Sequence, residues 1–179
     1  LIAFTVFGGG IDQASPTIGT VSYSTLSGNS VTATIQAGQS LYFFSSDDAL
    51  NVVGSVIGNS PLGDHCGGAG GVAAFQNSLA DDQSCGPIPN MLTGLDPMLL
   101  DNGGPTKTHA LLEGSEAIDY AGFCNIETDQ RGVDREDDVG CDSGAFEVTE
   151  CLAPDGYRET IPEVISTETT VEVCRTIDT

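Results

Sequence analysis

The stretch Ser24-Thr25-Leu26-Ser27-Gly28-Asn29-Ser30 has a counterpart 30 residues later, Gly54-Ser55-Val56-Ile57-Gly58-Asn59-Ser60. Each copy is a short β-prone run that ends in Gly-Asn-Ser, and both Gly and Asn tolerate the left-handed backbone of a sharp corner. Asn side chains in stacked corners can also hydrogen-bond along the stack. A repeat of this period is typical of solenoids, although an antiparallel sandwich with a coincidental Gly-Asn-Ser stays open as the alternative.

Outside this repeat the chain also favours short strands and turns. Val31 to Ile35 and Leu41 to Phe44 predict further strands, whereas Pro61 to Asn90 has the composition of a loop. Met91 to Glu147 alternates short apolar segments with turns and shows no helical period. The residues after Glu150 are rich in Glu, Thr and Val. Of the 179 residues, 23 are Gly and none is Trp, which fits a β architecture with many turns.

These patterns predict an all-β chain; together with a family resemblance that rests on about residues 58–147, they predict a right-handed parallel β-helix, a solenoid of about three or four rungs. We expect the rungs in residues 1–90. A loop-rich, disulfide-clamped C-terminal region of the β-helix is expected in residues 91–149. Residues 150–179 are expected to form a β-prone tail or the start of a further module.

The six cysteines favour disulfide bonds. The pairs suggested by sequence order are Cys66 with Cys85, Cys124 with Cys141, and Cys151 with Cys174. Order alone does not prove this connectivity, since six cysteines can pair in many ways. A zinc site is the alternative, but no Cys-x-x-Cys occurs and His65 and His109 lack zinc-like spacing with the thiols. Disulfides imply an oxidising exterior compartment, and each local bridge would stabilise the fold by about 3 kcal/mol.

Charge is the most lopsided property of the chain, with 26 acidic residues against 5 basic ones and a formal net charge of -21. Such a chain repels phosphate backbones, which excludes direct nucleic-acid binding. Loop carboxylates offer hard oxygens to calcium, the one candidate cofactor, although solvated acidic loops are the alternative and no EF-hand pattern occurs. The candidate calcium ligands are Asp81, Asp82, Asp96, Asp101, Asp134, Asp137 and Asp138.

The chain opens on an apolar strand, Leu1 to Phe7, with no polar cap, no Met and no basic flank. It is too short to span a membrane, and we expect translation to begin upstream. Such an open edge pairs with other strands, and Glu163 to Thr179 is β-prone without a core of its own. We therefore predict self-assembly into a filament, with a longer polypeptide as the alternative. The residues expected at the junction are Leu1, Ile2, Phe4, Val6, Phe7, Val164, Ile165, Val171 and Val173.

Five strings follow one another in a characteristic order between about Gly58 and Glu147. They are Asn77-Ser78-Leu79-Ala80-Asp81-Asp82-Gln83-Ser84-Cys85-Gly86, Asp101-Asn102-Gly103-Gly104-Pro105-Thr106-Lys107-Thr108-His109-Ala110-Leu111-Leu112, Gly114-Ser115-Glu116-Ala117-Ile118-Asp119, Thr128-Asp129-Gln130-Arg131-Gly132, and Cys141-Asp142-Ser143-Gly144-Ala145-Phe146-Glu147. In this order they resemble the choice-of-anchor Q domain family, bacterial secreted parallel β-helix proteins similar to the pectin-lyase fold. The earlier Gly8-Gly9-Gly10-Ile11 resembles the rungs of that family.

The resemblance implies a secreted or surface-anchored bacterial protein without an established catalytic set. The chain departs from the family pattern at three positions. Glu113 and Glu116 stand where proline is usual, and Tyr120 is an insertion. We expect these changes to alter the rigidity of loops and to leave the fold intact.

Two motifs that suggest catalysis receive structural interpretations. The run from Asn102 to Thr108 superficially resembles a phosphate loop, but that motif needs Gly directly before Lys, where Thr106 stands. We expect a tight turn that Lys107 or Thr108 ties down. For His109 we expect a bond to backbone, because no Gly-x-Ser-x-Gly elbow accompanies it.

Arginine is scarce in this chain, so Arg131 is expected to pair with a carboxylate in the C-terminal region through its fork geometry. Its candidate partners are Asp129, Asp119 and Asp142. No catalytic residue is predicted, and the chain is expected to be a structural surface component. The alternatives are a polysaccharide lyase or hydrolase, or a carbohydrate-binding adhesin, since β-helices host such activities. The candidate bases for a lyase are Lys107, Arg131, Arg135, Arg158 and Arg175.

Overall fold

Nine short strands, β1 to β9, form the first part of the computed structural model, which describes residues 10–13, 18–30, 39–61, 64–86, 91–135, 140–149, 162–166 and 169–172. Only the backbone is described for residue 13 and for the last two ranges. The strands are β1 (Ile11–Gln13), β2 (Gly19–Ser22), β3 (Thr25–Ser27), β4 (Leu41–Phe43), β5 (Ala49–Val53), β6 (Val56–Gly58), β7 (Cys66–Gly68), β8 (Gly71–Gln76) and β9 (Leu79–Ala80). The described residues contain no helix, so the expectation of an all-β chain is confirmed for them.

These nine strands make three parallel sheets, and each sheet takes every third strand. The sheets have the orders β1-β4-β7, β2-β5-β8 and β3-β6-β9. The chain therefore passes through all three sheets in turn and makes three circuits, each of which adds one strand to every sheet. The alternative of an antiparallel sandwich is wrong for these strands, because all their pairings are parallel.

The register corrects the expected repeat by one residue. In the third sheet Thr25 pairs with Val56, a step of 31 residues, so Gly28 and not Asn29 lies opposite Asn59. Both positions have left-handed backbone, with φ of 64° at Gly28 and 57° at Asn59. Either residue type can occupy such a corner, and for that reason matching the Gly-Asn-Ser strings misplaced the repeat.

A column of left-handed residues separates the second and third sheets. Tyr23, Gly54 and Asn77 occupy equivalent positions in the three circuits, with φ of 44°, 54° and 47°. The Tyr23 ring lies over Gly54, where an added Cβ would stand 2.8 Å from the ring. These three residues, the corner stack, turn the chain sharply at the equivalent position of each circuit.

The next residue of each circuit is a serine, and the three serines are hydrogen-bonded to one another. The N–H of Ser24 donates to Oγ of Ser55 (3.1 Å), and the N–H of Ser55 donates to Oγ of Ser78 (3.0 Å). Each hydroxyl in turn donates to the carbonyl two residues before it. This serine stack (Ser24, Ser55 and Ser78) satisfies backbone donors that the corner would otherwise leave unpaired.

One hydrophobic core is shared by the three sheets. Leu26, Ile57 and Ala80 stack in register along the third sheet, and all three are buried. They pack with Leu41 and Phe43 of the first sheet, which are almost completely buried, and with side chains of β5. Burial of a large aliphatic side chain contributes about 1.5–3 kcal/mol, so this core is a major source of stability.

The opposite face of the third sheet is covered by residues 91–148, the outer segment. Val56 and Leu79 alternate with the core residues along β6 and β9, and they are fully buried against the outer segment. The side chains of the outer segment that pack there are Leu92, Leu95, Leu111 and Ala117. Its backbone pairing consists of isolated antiparallel bridges, such as Leu95 with Leu111, and one parallel bridge from Met91 to β9.

The chain divides into two compact units, Leu1–Val148 and Thr149–Thr179. In the second unit β10 (Pro162–Ser166) pairs antiparallel with β11 (Thr169–Glu172). The proposed junction residues Val164, Ile165 and Val171 lie in these two strands, where Val164 pairs with Thr170 and Val171 with Glu163, and the register shifts at Ile165. The other proposed junction residues lie outside the described residues; they are Leu1, Ile2, Phe4, Val6, Phe7 and Val173.

The part of the chain that the structure describes contains no helix long and apolar enough to cross a membrane.

Candidate functional site

Within the described residues, a group of potential metal ligands is built around His65, the residue directly before β7. Its side chain is only 2% exposed. Nδ1 lies 2.9 Å from Oγ of Ser60 and 3.4 Å from Oγ of Ser40, so two hydroxyls meet this side of the ring. Ser40 and His65 occupy neighbouring circuits, and their backbones are bonded there through the N–H of Ser40 and the carbonyl of His65.

The other ring nitrogen of His65 faces two carboxylates. Nε2 contacts Oδ1 of Asp81 and lies 3.8 Å from Oδ2 of Asp82. Both aspartates follow β9 and are partly exposed, with 39% and 29% of their side chains accessible. His65, Asp81 and Asp82, the His65 cluster, offer three ligand atoms that all lie within 4.8 Å of one another.

Both carboxylates are held in place by further hydrogen bonds. Oδ2 of Asp81 accepts the N–H of Asn59 at 2.8 Å, and Oδ2 of Asp82 accepts the N–H of His65 at 2.9 Å. Oδ1 of Asp82 accepts the N–H and the hydroxyl of Ser84 at 2.8 and 2.6 Å. Burial alone would raise the pKa of Asp82, but the bonds from Ser84 and His65 outweigh it and lower this pKa below its ordinary value.

A disulfide bond closes the loop that carries the His65 cluster. Cys66 follows His65 directly and is bonded to Cys85, with a Cα–Cα distance of 4.9 Å. A second bridge joins Cys124 to Cys141, whose Cα atoms are 5.8 Å apart. These are two of the three pairs suggested by sequence order, and Cys151 and Cys174 lie outside the described residues.

The structure separates the residues proposed as calcium ligands. Asp81 and Asp82 are brought together with His65, which the calcium hypothesis did not include. Within the described ranges, Asp96, Asp101 and Asp134 join no group of three metal-ligating side chains. Asp137 and Asp138 lie outside these ranges.

Arg131 forms an ion pair with Asp129, its neighbour in the outer segment. Nη2 of Arg131 is 2.7 Å from Oδ2 of Asp129, and the guanidinium lies 3.6 Å from the centroid of the Phe146 ring. The Asp129 carboxylate also accepts the N–H groups of Val133 and Glu147. Burial acts to raise the pKa of Asp129, but these bonds and the Arg131 contact lower it. Both oxygens of the Asp129 carboxylate therefore accept hydrogen bonds from donors within the outer segment.

Two of the expected partners of Arg131 serve a different purpose. The N–H of Asp119 donates to Oδ1 of Asp142 at 2.9 Å, and the N–H of Val148 donates to the other oxygen of the Asp142 carboxylate. Neither aspartate forms an ion pair with Arg131 in the described residues. Asp142 is 1% exposed and ties the backbone of the outer segment together.

Sequence reasoning missed the most deeply buried ion pair among the described residues, which joins Arg135 and Glu147. Nη1 of Arg135 lies 2.7 Å from Oε2 of Glu147, and the two side chains are 0% and 4% exposed. The guanidinium also donates to the carbonyls of Asp142 and Gly144. Arg135 appeared in the sequence only as one of five cations. Nothing local marked it, because its partners lie 7 to 12 residues away.

Three acidic residues, Asp129, Asp142 and Glu147, lie around Arg131 and Arg135. This arrangement shifts the pKa values of the three acids. Burial, followed by the negative charge of Asp142, raises the pKa of Glu147 to about 7. Burial is also the main cause that raises the pKa of Asp142. The network therefore favours retention of a proton near neutral pH.

An open cleft of about 240 Å³ is lined by residues that the sequence singled out, including Lys107, His109 and Gln130. Nδ1 of His109 lies 2.8 Å from the carbonyl of Asp96, so this ring is bonded to backbone. Thr108 is the residue that ties down the Gly-Gly-Pro turn, because its carbonyl and hydroxyl oxygens both accept from the Asn102 amide.

No known family model, curated protein or solved structure matches this chain.

Proposed function

We propose that this chain is part of a right-handed parallel β-helix of the choice-of-anchor Q type, and that it serves as a structural component of a bacterial cell surface. The observation that carries this proposal is the set of three parallel sheets with a common core. Connections between parallel strands of one sheet are almost always right-handed, which favours this hand. Stacked strands whose serine side chains bond to the neighbouring circuits suit a load-bearing role.

The contacts of the positively charged side chains also favour a structural role over catalysis. A lyase needs a cation that is free to meet a sugar acid, but Arg131 and Arg135 are held in ion pairs inside the outer segment. Each guanidinium is also bonded to backbone carbonyls. These ion pairs and hydrogen bonds stabilise the outer segment. Two further candidate bases, Arg158 and Arg175, lie outside the described residues.

An extracellular location is supported by the two disulfide bonds, since such bonds persist in oxidising compartments. The net charge of -21 also suits a protein that stays soluble in a saline exterior. Self-association through strand edges remains part of the proposal, because the strand edges of a parallel stack can pair with strands of a neighbouring chain.

Self-assembly is tested by sedimentation velocity of the oxidised chain over a hundredfold range of concentration, with and without calcium. We expect the average mass to rise with concentration. A chain with Phe4→Asp and Val6→Asp should stay monomeric, whereas the control Leu112→Asp, an exposed position in the outer segment, should associate like the natural chain. A natural chain that is monomeric throughout the range would end the filament proposal.

A polysaccharide-cleaving enzyme is the second candidate, and the cleft beside Lys107 is the observation in its favour. Incubation with acidic polysaccharides, with and without calcium, separates the two candidates. A structural protein gives no new chain ends. Turnover that is lost in Lys107→Ala while the unfolding midpoint is unchanged would establish the enzyme instead.

A further inference from the structure

We propose that His65, Asp81 and Asp82 bind one divalent transition-metal ion of the zinc type. The three ligand atoms converge within 4.8 Å, and they combine one imidazole nitrogen with two carboxylate oxygens. This set suits Zn²⁺ or Mn²⁺ better than Ca²⁺, because calcium takes oxygen ligands and imidazole is a common ligand of zinc.

The first argument is the orientation of the His65 ring. Nε2 points at oxygens of both Asp81 and Asp82. A ring nitrogen that faces two carboxylates either donates its N–H to one of them or shares a metal ion with both. A buried imidazole that binds a metal through one nitrogen normally donates its other N–H to an acceptor. Oγ of Ser60, at 2.9 Å from Nδ1, is placed to be this acceptor.

The second argument is preorganisation. The backbone N–H groups of Asn59 and His65 hold one oxygen of each carboxylate, and Ser84 holds the far oxygen of Asp82. The Cys66–Cys85 bond fixes the loop ends that carry the ligands. A site whose ligands are held before the ion arrives loses less conformational entropy on binding.

The third argument is access. His65 is buried, but the side chains of Asp81 and Asp82 are 39% and 29% exposed, so an ion can enter from the solvent side. Three protein ligands leave a fourth tetrahedral position for water. The negative field of the chain also concentrates cations near its surface.

The test is isothermal titration of the oxidised full chain with Zn²⁺ after treatment with a chelator. Iodoacetamide is added beforehand, so that any free thiol is blocked and cannot bind the metal. We expect one tight site per chain, and at least a tenfold loss of affinity in His65→Asn and in Asp82→Asn. His109→Asn is the matched control, because it removes the other histidine of the chain, and its affinity should equal that of the natural chain.

A second readout separates metal binding from folding. Co²⁺ bound by an imidazole and two carboxylates in a tetrahedral site gives visible absorption bands, and these should appear in the natural chain and in His109→Asn. If His65→Asn fails to fold, Asp81→Asn, which changes a partly exposed side chain, takes its place. The proposal is overturned if His65→Asn or Asp81→Asn binds Zn²⁺ as the natural chain does, which would indicate scattered surface carboxylates. It is also overturned if the natural chain binds none.

Discussion

The nine strands β1 to β9 and the outer segment of residues 91–148 are stabilised in different ways. In the strands, equivalent residues stack on each other, and the corner stack and serine stack repeat similar contacts from one circuit to the next. The described residues of the outer segment form isolated bridges instead of a sheet, and their backbone is held by the side chains of Asp129, Asp142 and Arg135. The comparison teaches that repetition can replace individual strong contacts, whereas an irregular segment depends on a few of them.

The two regions meet at Gly144, which shows why the outer segment needs small residues there. Its N–H donates to the carbonyl of Gly54 in the corner stack at 2.8 Å. An added Cβ would lie 2.9 Å from both Thr25 and Val56. Ser143 before it donates to the carbonyl of Asn77. The outer segment thus uses the corner stack as its docking surface.

The largest effect in this comparison is expected from Arg135→Met. Removal of the guanidinium leaves the buried Glu147 and the carbonyls of Asp142 and Gly144 without their donor. Breaking a buried pair in this way costs about 3–5 kcal/mol. Urea unfolding at pH 8, where the Glu147 carboxyl is mostly ionised, measures the loss. Lys107→Met is the matched control, because it removes an exposed positive charge and should change the free energy of unfolding by less than about 0.5 kcal/mol. Equal effects of the two substitutions would contradict the role given to Arg135.

A somewhat smaller effect is expected from pH. The pKa of Glu147 is raised from 4.5 to about 7, so the folded state keeps this proton in a range where the unfolded chain has lost it. The contribution of Glu147 is complete below about pH 4.5 and is lost as pH rises through about 7, a total of about 3 kcal/mol.

The measurement is the urea midpoint at pH 5 and at pH 8 for the natural chain and for Glu147→Gln. The amide cannot ionise, so the difference between the two pH values should shrink in this variant. An identical pH dependence in the two proteins would show that Glu147 does not hold the proton.

The smallest effect is expected in the stacked strands, from Ser55→Ala. Loss of its hydroxyl leaves the N–H of Ser24 without its acceptor and costs about 1–3 kcal/mol. Ser24→Ala is the control, because the Ser24 hydroxyl donates to the carbonyl of Ser22 within its own circuit. We expect the control to cost about 1 kcal/mol or less, as measured by thermal or urea unfolding. If Ser24→Ala were as damaging as Ser55→Ala, bonding between circuits would not be the source of stability.

Some features of this fold could be predicted from local sequence, because they depend on residues close together. Short β-prone runs separated by Gly and Asn gave the all-β class, and cysteines that are neighbours in order gave the pairs Cys66–Cys85 and Cys124–Cys141. Thr108 and His109 are hydrogen-bonded to residues only 6 and 13 positions away, Asn102 and Asp96 respectively. Composition and residue spacing can predict features of this kind.

The features that only the tertiary structure decided depend on which residues are stacked. The serine stack was invisible, because Ser is common and the steps between its members, 31 and 23 residues, are unequal. The Gly-Asn-Ser match was displaced by one residue because Gly28 and Asn59 occupy the same left-handed corner, so that identical letters do not mark equivalent positions. His65 met Asp81 and Asp82 only through the register of the circuits, and Arg135 met Glu147 only where the outer segment folds back on itself. Local sequence specifies strands and turns through short-range sterics, whereas the partners of buried charges are set by packing between distant segments.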